Sequence, residues 1–176
     1  MRSLVVGALF EALPGQGVAC LRFNFRGVEG SEGSHGSGEE ERLDVEAAIG
    51  HLHDHLPAGV PIVVMGWSFG ADVAAAVRDA RHAGWFLVAP PLQYSGALGE
   101  IAGDPRPKRL ALAEHDQFRD PADVQVETAG WVNARTDVVG GADHFFIGRT
   151  ERLVDLAVAF VDEVVETEEA AGEGGA

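Results

Sequence analysis

Ser68, Asp116 and His144 are the residues whose types and order could carry nucleophilic chemistry. Ser68 is the centre of Gly66-Trp67-Ser68-Phe69-Gly70, a G-x-S-x-G sequence. A serine hydroxyl becomes a nucleophile when a neighbouring base takes its proton, and a carboxylate fixes the tautomer of an imidazole base. The pentapeptide alone is a weak signal, because a glycine-rich β–α turn can hold an incidental serine. Its surroundings strengthen it. Val60 to Met65 is a short apolar run that reads as a buried strand, and the Ala-rich stretch after Gly70 reads as a helix. Ser68 then sits on a tight strand-to-helix turn, a nucleophile elbow, with Gly66 and Gly70 keeping side chains out of the way. The N–H of Phe69, at the positive end of the helix, is the expected oxyanion donor.

Asp116 and His144 need positioning elements of their own, and the pattern supplies them. Residues 84–89 and 108–113 are apolar runs that read as buried strands, and residues 135–139 read as a last short strand. Residues 18–26 alternate, with Leu21, Phe23 and Phe25 against Arg22, Asn24 and Arg26, and also read as a strand. Helices are expected over 1–13, 39–56, 69–82, about 120–132 and 150–165, the fourth capped by Asp120 with Pro121 in its first turn. Residues 92–107 read as a loop and leave no room for a lid domain. Alternating strands and helices imply a mostly parallel sheet with helices on both faces. In such sheets ligands bind at the carboxyl ends of the strands. Ser68, Asp116 and His144 each follow a predicted strand, in the order Ser, Asp, His.

Composition sets the outer bounds. The 176 residues suffice for one domain with a real core, and apolar residues make up 46 %. The expected division is one domain over 1–165 and a disordered, acidic, Gly/Ala-rich tail over 166–176. A formal net charge of −15 argues against nucleic acid and anionic membranes as partners. No apolar run reaches a membrane span and no signal peptide is evident, so a cytoplasmic protein is expected. Cys20 reads as a small core residue.

Other chemistry-bearing stretches are weaker. The glycines from Gly27 to Gly38 follow a predicted strand, but they lack the Gly-Lys-Ser/Thr of a phosphate loop, and Glu39, Glu40 and Glu41 would repel a phosphate there. His51, His53 and His55 resemble a zinc signature that is one residue short; a solvated helix end is the better reading, and neither metal nor cofactor is expected. Asp143 adjoins His144 too closely in sequence to orient its ring, and His115 reads as a surface residue.

Three stretches together resemble the small, lidless bacterial α/β-hydrolases related to dienelactone hydrolases. They are Arg22 to Gly33, Gly66 to Gly70, and Gly141 to Phe146, and the resemblance covers residues 1 to about 162. It implies a three-layer α/β-hydrolase fold with a sheet of about five strands. It also implies Ser68 as nucleophile, His144 as general base and Asp116 as the residue that orients it. Relative to that pattern the chain begins late and reads as N-terminally truncated. A loop that would supply a second oxyanion N–H is missing, as is a strand between 18–26 and 60–65. Either the two flanking strands pair directly or a second chain fills the gap. The function expected is hydrolysis of an ester or related acyl compound through an acyl-enzyme, with a small-molecule substrate and self-association left open. The alternatives are a binding protein on the same scaffold and a metal-dependent hydrolase using His51, His53 and His55.

Overall fold

The computed structural model describes residues 3–93 and 98–173. The chain runs α1 (Leu4–Ala12), a 3-10 turn (Leu13–Gln16), α2 (Glu39–His55), β1 (Val63–Trp67), α3 (Phe69–Ala76) and β2 (Gly84–Val88). It continues α4 (Leu98–Gly103), β3 (Lys108–His115), α5 (Pro121–Thr128), β4 (Ala134–Asp143) and α6 (Thr150–Glu173). The four strands form one parallel sheet in the order β1-β2-β3-β4.

Strand periodicity builds the layers, because successive side chains point to opposite faces. On β2, Trp85 and Leu87 enter the core with α2, α3, α4 and α5, while Phe86 and Val88 enter the core with α1 and α6. On β3, Leu110 and Leu112 take the first side and Ala111 and Ala113 the second. Gly84–Val88 of β2 and residues 110–113 of β3 are buried on both faces, which is why those stretches read as apolar runs. The β3 alanines leave room for α6, whose Phe160 ring lies 5.9 Å from that of Phe86. Asp120 caps α5 as expected, its carboxylate accepting the Ala122 N–H at 2.8 Å.

The sheet departs from expectation at residues 18–26. They form no strand, so the sheet has four strands rather than about five. Among the described residues β1 pairs only with β2, and apolar cavities of about 370 and 270 Å³ lie between its other edge and residues 18–25. A period-two segment without a strand beside it has no ladder to join. It is held by side chains instead. Arg22 lies over the Phe10 ring, Phe25 packs edge-on to both Phe23 and Phe69, and Arg26 forks onto Asp44. The two flanking segments therefore do not close up and pair. Cys20 is half-buried, with burial pushing its thiol up.

Smaller differences have local causes. The segment read as a loop over 92–107 contains α4, whose Ile101 is fully buried. Helix α3 stops at Ala76 rather than 82, where the Arg78 guanidinium donates to the carbonyls of Ala75 and Val77. Helix α5 stops at Thr128, whose hydroxyl turns back to the Val124 carbonyl at 2.8 Å. Helix α6 continues past 165 to Glu173.

The end of the sheet away from the strand carboxyl ends is closed by the buried Lys108 and the half-buried Arg106. Lys108 donates to the carbonyls of Asp104, Arg106 and Val132. Arg106 donates to the carbonyls of Asp79 and His82 and lies 3.1 Å from His82 Nε2. Burial, helped by the Arg106 charge, lowers the His82 pKa from 6.5 to about 4. Unfolded, His82 takes a proton below pH 6.5; folded, it stays neutral to about pH 4. The unfolded state thus binds more protons in that window, and stability falls as pH drops through it. Asp79 and Asp104, held at about 2 chiefly by Arg81 and Arg106, add their losses only below 3.8. Urea unfolding should therefore show about 3 kcal/mol lost between pH 6.5 and 4, from the size of the His82 shift. His82→Gln should flatten that slope; an unchanged slope would show that His82 is not the titrating group.

Candidate active site

The elbow is built by close backbone packing. Ser68 has φ 53° and ψ −126°, a conformation that L-residues rarely adopt. Three hydrogen bonds fix it. The Ser68 N–H donates to the Val88 carbonyl at 2.9 Å, and the Ser68 carbonyl accepts from Ala71 at 2.8 Å and Asp72 at 3.3 Å. The two motif glycines differ. A Cβ on Gly66 would lie 2.2 Å from the Gly70 carbonyl oxygen, whereas one on Gly70 would meet only the Phe25 ring edge at 3.8 Å. The requirement for glycine is thus at Gly66. Phe69 is the first residue of α3, where the helix directs backbone N–H groups outward along its axis.

His144 reaches Ser68 through an irregularity in β4. Ala113 pairs with Val139 but His115 pairs with Asp143, so β4 carries extra residues around Gly140 and Gly141. Gly141 has φ 67°. Such bulges bend a strand and re-aim the side chain that follows. His144 Nε2 then lies 2.9 Å from Ser68 Oγ, and Nδ1 lies 2.8 Å from Asp116 Oδ2. The His144 and Asp116 side chains are 6 % and 4 % exposed. The other Asp116 oxygen accepts the N–H groups of Phe118 at 2.9 Å and Arg119 at 3.2 Å, which fixes the carboxylate. The three predicted residues are thus brought into one hydrogen-bonded line. Asp143 is not part of it; its carboxylate accepts from the N–H groups of Phe145 and Ile147 and shapes the turn after β4. His115 is exposed and beside Glu114.

The imidazole has an aromatic wall. Its ring centroid lies 4.7 Å from Phe118, 5.4 Å from Phe145 and 5.5 Å from Trp67. Trp67 also donates from Nε1 to the His144 carbonyl at 3.0 Å, tying the end of β1 to the turn after β4. Sequence reasoning placed Trp67 in the elbow without seeing this tie. It missed Gln117, whose Oε1 accepts the His144 N–H at 3.2 Å, and nothing in the sequence singles that residue out. It also missed Asp72. That carboxylate is fully buried and accepts the N–H groups of Leu92 at 2.9 Å and Gln93 at 2.8 Å, holding the loop after β2. An acid inside an Ala/Val run was the signal.

The acidic start of α2 has a similar use. Glu41 is fully buried, and burial alone would push its carboxyl up. The N–H groups of Gly36 at 2.6 Å and Gly38 at 2.9 Å outweigh that and hold it below the ordinary range. Glu41 thereby ties the glycine-rich loop to the helix. The histidines at the other end of α2 are exposed: His51 and His55 stack at 4.2 Å, and His55 Nδ1 lies 2.7 Å from the His51 carbonyl. Among the described residues no group of three His, Cys, Asp or Glu is placed to hold a metal ion.

The unequal demands of the two glycines predict unequal variants. Gly66→Ala should cost at least about 2 kcal/mol through overpacking, and Gly70→Ala less than about 1 kcal/mol. Thermal melts of both proteins would check this; equal losses would contradict the packing described.

No protein-family profile matches the chain. The uncharacterized protein RP471 of Rickettsia prowazekii is 29 % identical over 161 residues, which cover 86 % of this chain and 68 % of that protein. A protein of unknown function from Agrobacterium tumefaciens superposes with a TM-score of 0.80 at 26 % identity, over 96 % of this chain and 80 % of its own. An α/β serine hydrolase homologue from Coxiella burnetii is 31 % identical with a TM-score of 0.78, over 90 % of this chain and 76 % of its own. Identity at that level over most of both chains, on the same parallel sheet, places the chain in the α/β-hydrolase superfamily.

Proposed function

We propose that the protein is a serine hydrolase that cleaves an ester or related acyl compound through an acyl-enzyme. The line from Ser68 Oγ to His144 Nε2 at 2.9 Å, continued from Nδ1 to Asp116 at 2.8 Å, carries this reading. His144 takes the Ser68 proton as Oγ attacks the carbonyl carbon. The oxyanion that forms accepts a hydrogen bond from the Phe69 N–H, and the dipole of α3 favours it. His144 then gives the proton to the leaving oxygen, and the C–O bond breaks. Water attacks the acyl-enzyme by the same route in reverse roles. Asp116 keeps the proton on Nδ1 and stabilises the imidazolium. Trp67, Phe118 and Phe145 limit water around the ring. The substrate on this reading is a small molecule, and no nucleic acid, membrane or cofactor takes part. No helix among the described residues is long and apolar enough to cross a membrane.

A fluorophosphonate should add once, at Ser68, and Ser68→Ala should abolish both the adduct and hydrolysis of p-nitrophenyl acetate. Asp116→Asn should lower kcat by about 10⁴. A Ser68→Ala protein as active as the parent would overturn the assignment, and a cooperatively folded parent that takes no label would point to a binding protein on this scaffold.

A further inference from the structure

Among the described residues, the large aromatic side chains that stand exposed are Phe118 and Phe145, at 68 % and 39 %, and both lie against the His144 imidazole. A single exposed apolar residue is ordinary, but two aromatic rings grouped on one functional side chain are not. Phe118 in particular is too exposed for burial to account for it. We infer that the two rings form the leaving-group site, so that the preferred substrates are esters of an aromatic alcohol. The inference rests on Ser68 being the nucleophile and His144 the base.

Proton delivery fixes where the alcohol lies. In acylation the bond between the carbonyl carbon and the alcohol oxygen breaks, and the acyl group stays on Ser68 Oγ. The proton on His144 Nε2 passes to the departing oxygen, which leaves as the neutral alcohol. That oxygen must come within about 3 Å of Nε2. Whatever it carries then lies next to the imidazole, where Phe118 stands edge-on at 4.7 Å and Phe145 edge-on at 5.4 Å. The two rings are 6.3 Å apart and edge-on to each other. Aromatic pairs favour this tilted geometry at centroid separations of about 4.5–7 Å, so a ring on the alcohol extends an existing cluster. The rings also hold still. The Phe118 N–H donates to Asp116 at 2.9 Å, the Phe145 N–H donates to Asp143 at 3.1 Å, and Trp67 packs on Phe145 at 5.8 Å. A site already in place loses little freedom when it binds. The Phe69 ring, beside the expected oxyanion donor, packs instead with Phe25 and His35.

The test compares kcat/KM of the full chain on benzyl acetate and on 2-methoxyethyl acetate, whose alcohols are similar in acidity. Both esters form the same acetyl-enzyme, so the ratio of their kcat/KM values reads the leaving group alone. The ratio should favour benzyl acetate by at least about tenfold. Phe118→Ala should bring it to about threefold or less, and Phe118→Trp should keep it. A Phe118 that merely supports His144 would slow both esters alike in Phe118→Ala and leave the ratio where it was, which would overturn the inference. 2-Methoxyethyl phenylacetate carries its ring on the acyl side, and its rate relative to the acetate should not respond to Phe118→Ala; a response there, with none for benzyl acetate, would overturn the leaving-group assignment. Hydrolysis of both acetates that depends on Ser68, with a ratio near unity, would overturn the aromatic site and leave the serine hydrolase standing. No Ser68-dependent hydrolysis of any of these esters would overturn the hydrolase reading and the inference with it. A parent dimer that Phe118→Ala dissociates with the ratio unmoved would assign the rings to self-association, and the inference would fail.

Discussion

The backbone at Ser68 is the constraint on which the rest of the site depends. A residue held at φ 53° and ψ −126° costs on the order of 1–3 kcal/mol and persists only where its surroundings fix it. Here β2 fixes it through the Val88 carbonyl and α3 through two N–H donors. Gly66 lets the backbone of α3 press within van der Waals contact of β1. The groups that hold Ser68 in place, at Val88, Ala71 and Asp72, are fully buried. The strain is therefore placed where the core is least able to relax.

Around that fixed point, the loops are held by carboxylates that accept backbone N–H groups. Asp72 reaches the loop after β2, Glu41 the glycine-rich loop, Asp116 its own following turn and Asp143 the turn after β4. Asp44 does the same for Arg26, adding a forked ion pair that pulls its carboxyl below the ordinary range. Each charge-assisted bond of this kind is stronger than one between neutral groups. A short chain with little regular structure between residues 17 and 38 thus keeps its rim in place without a disulfide.

What the sequence made legible follows from how far each signal reaches. Buried strands such as 84–88 and 108–113 are continuous apolar runs, and the elbow is a local pattern read within five residues. Ser68, Asp116 and His144 could be paired because each follows a predicted strand. The bulge that delivers His144 could not be read, since it is a mismatch between two strands distant in sequence. Residues 18–26 show the converse failure. Alternation of Leu21, Phe23 and Phe25 records which way side chains point, but a strand also needs a neighbour, and β1 does not supply one. The fully buried Glu41 was hidden by its type, because an acid near a helix start reads as a dipole partner.

The last turns of α6 carry a different kind of consequence. Leu156, Phe160 and Val164 anchor the helix, but beyond Val164 its residues leave the core, and Glu166, Glu168 and Glu169 stand exposed at the end where the backbone carbonyls already concentrate negative charge. Like charge at that pole opposes the helix that it ends. The segment therefore belongs to the low end of the molecule's range of local opening free energies. Amide protons there are expected to exchange with solvent long before those of β2 and β3, and salt, by screening the carboxylates, to slow that exchange.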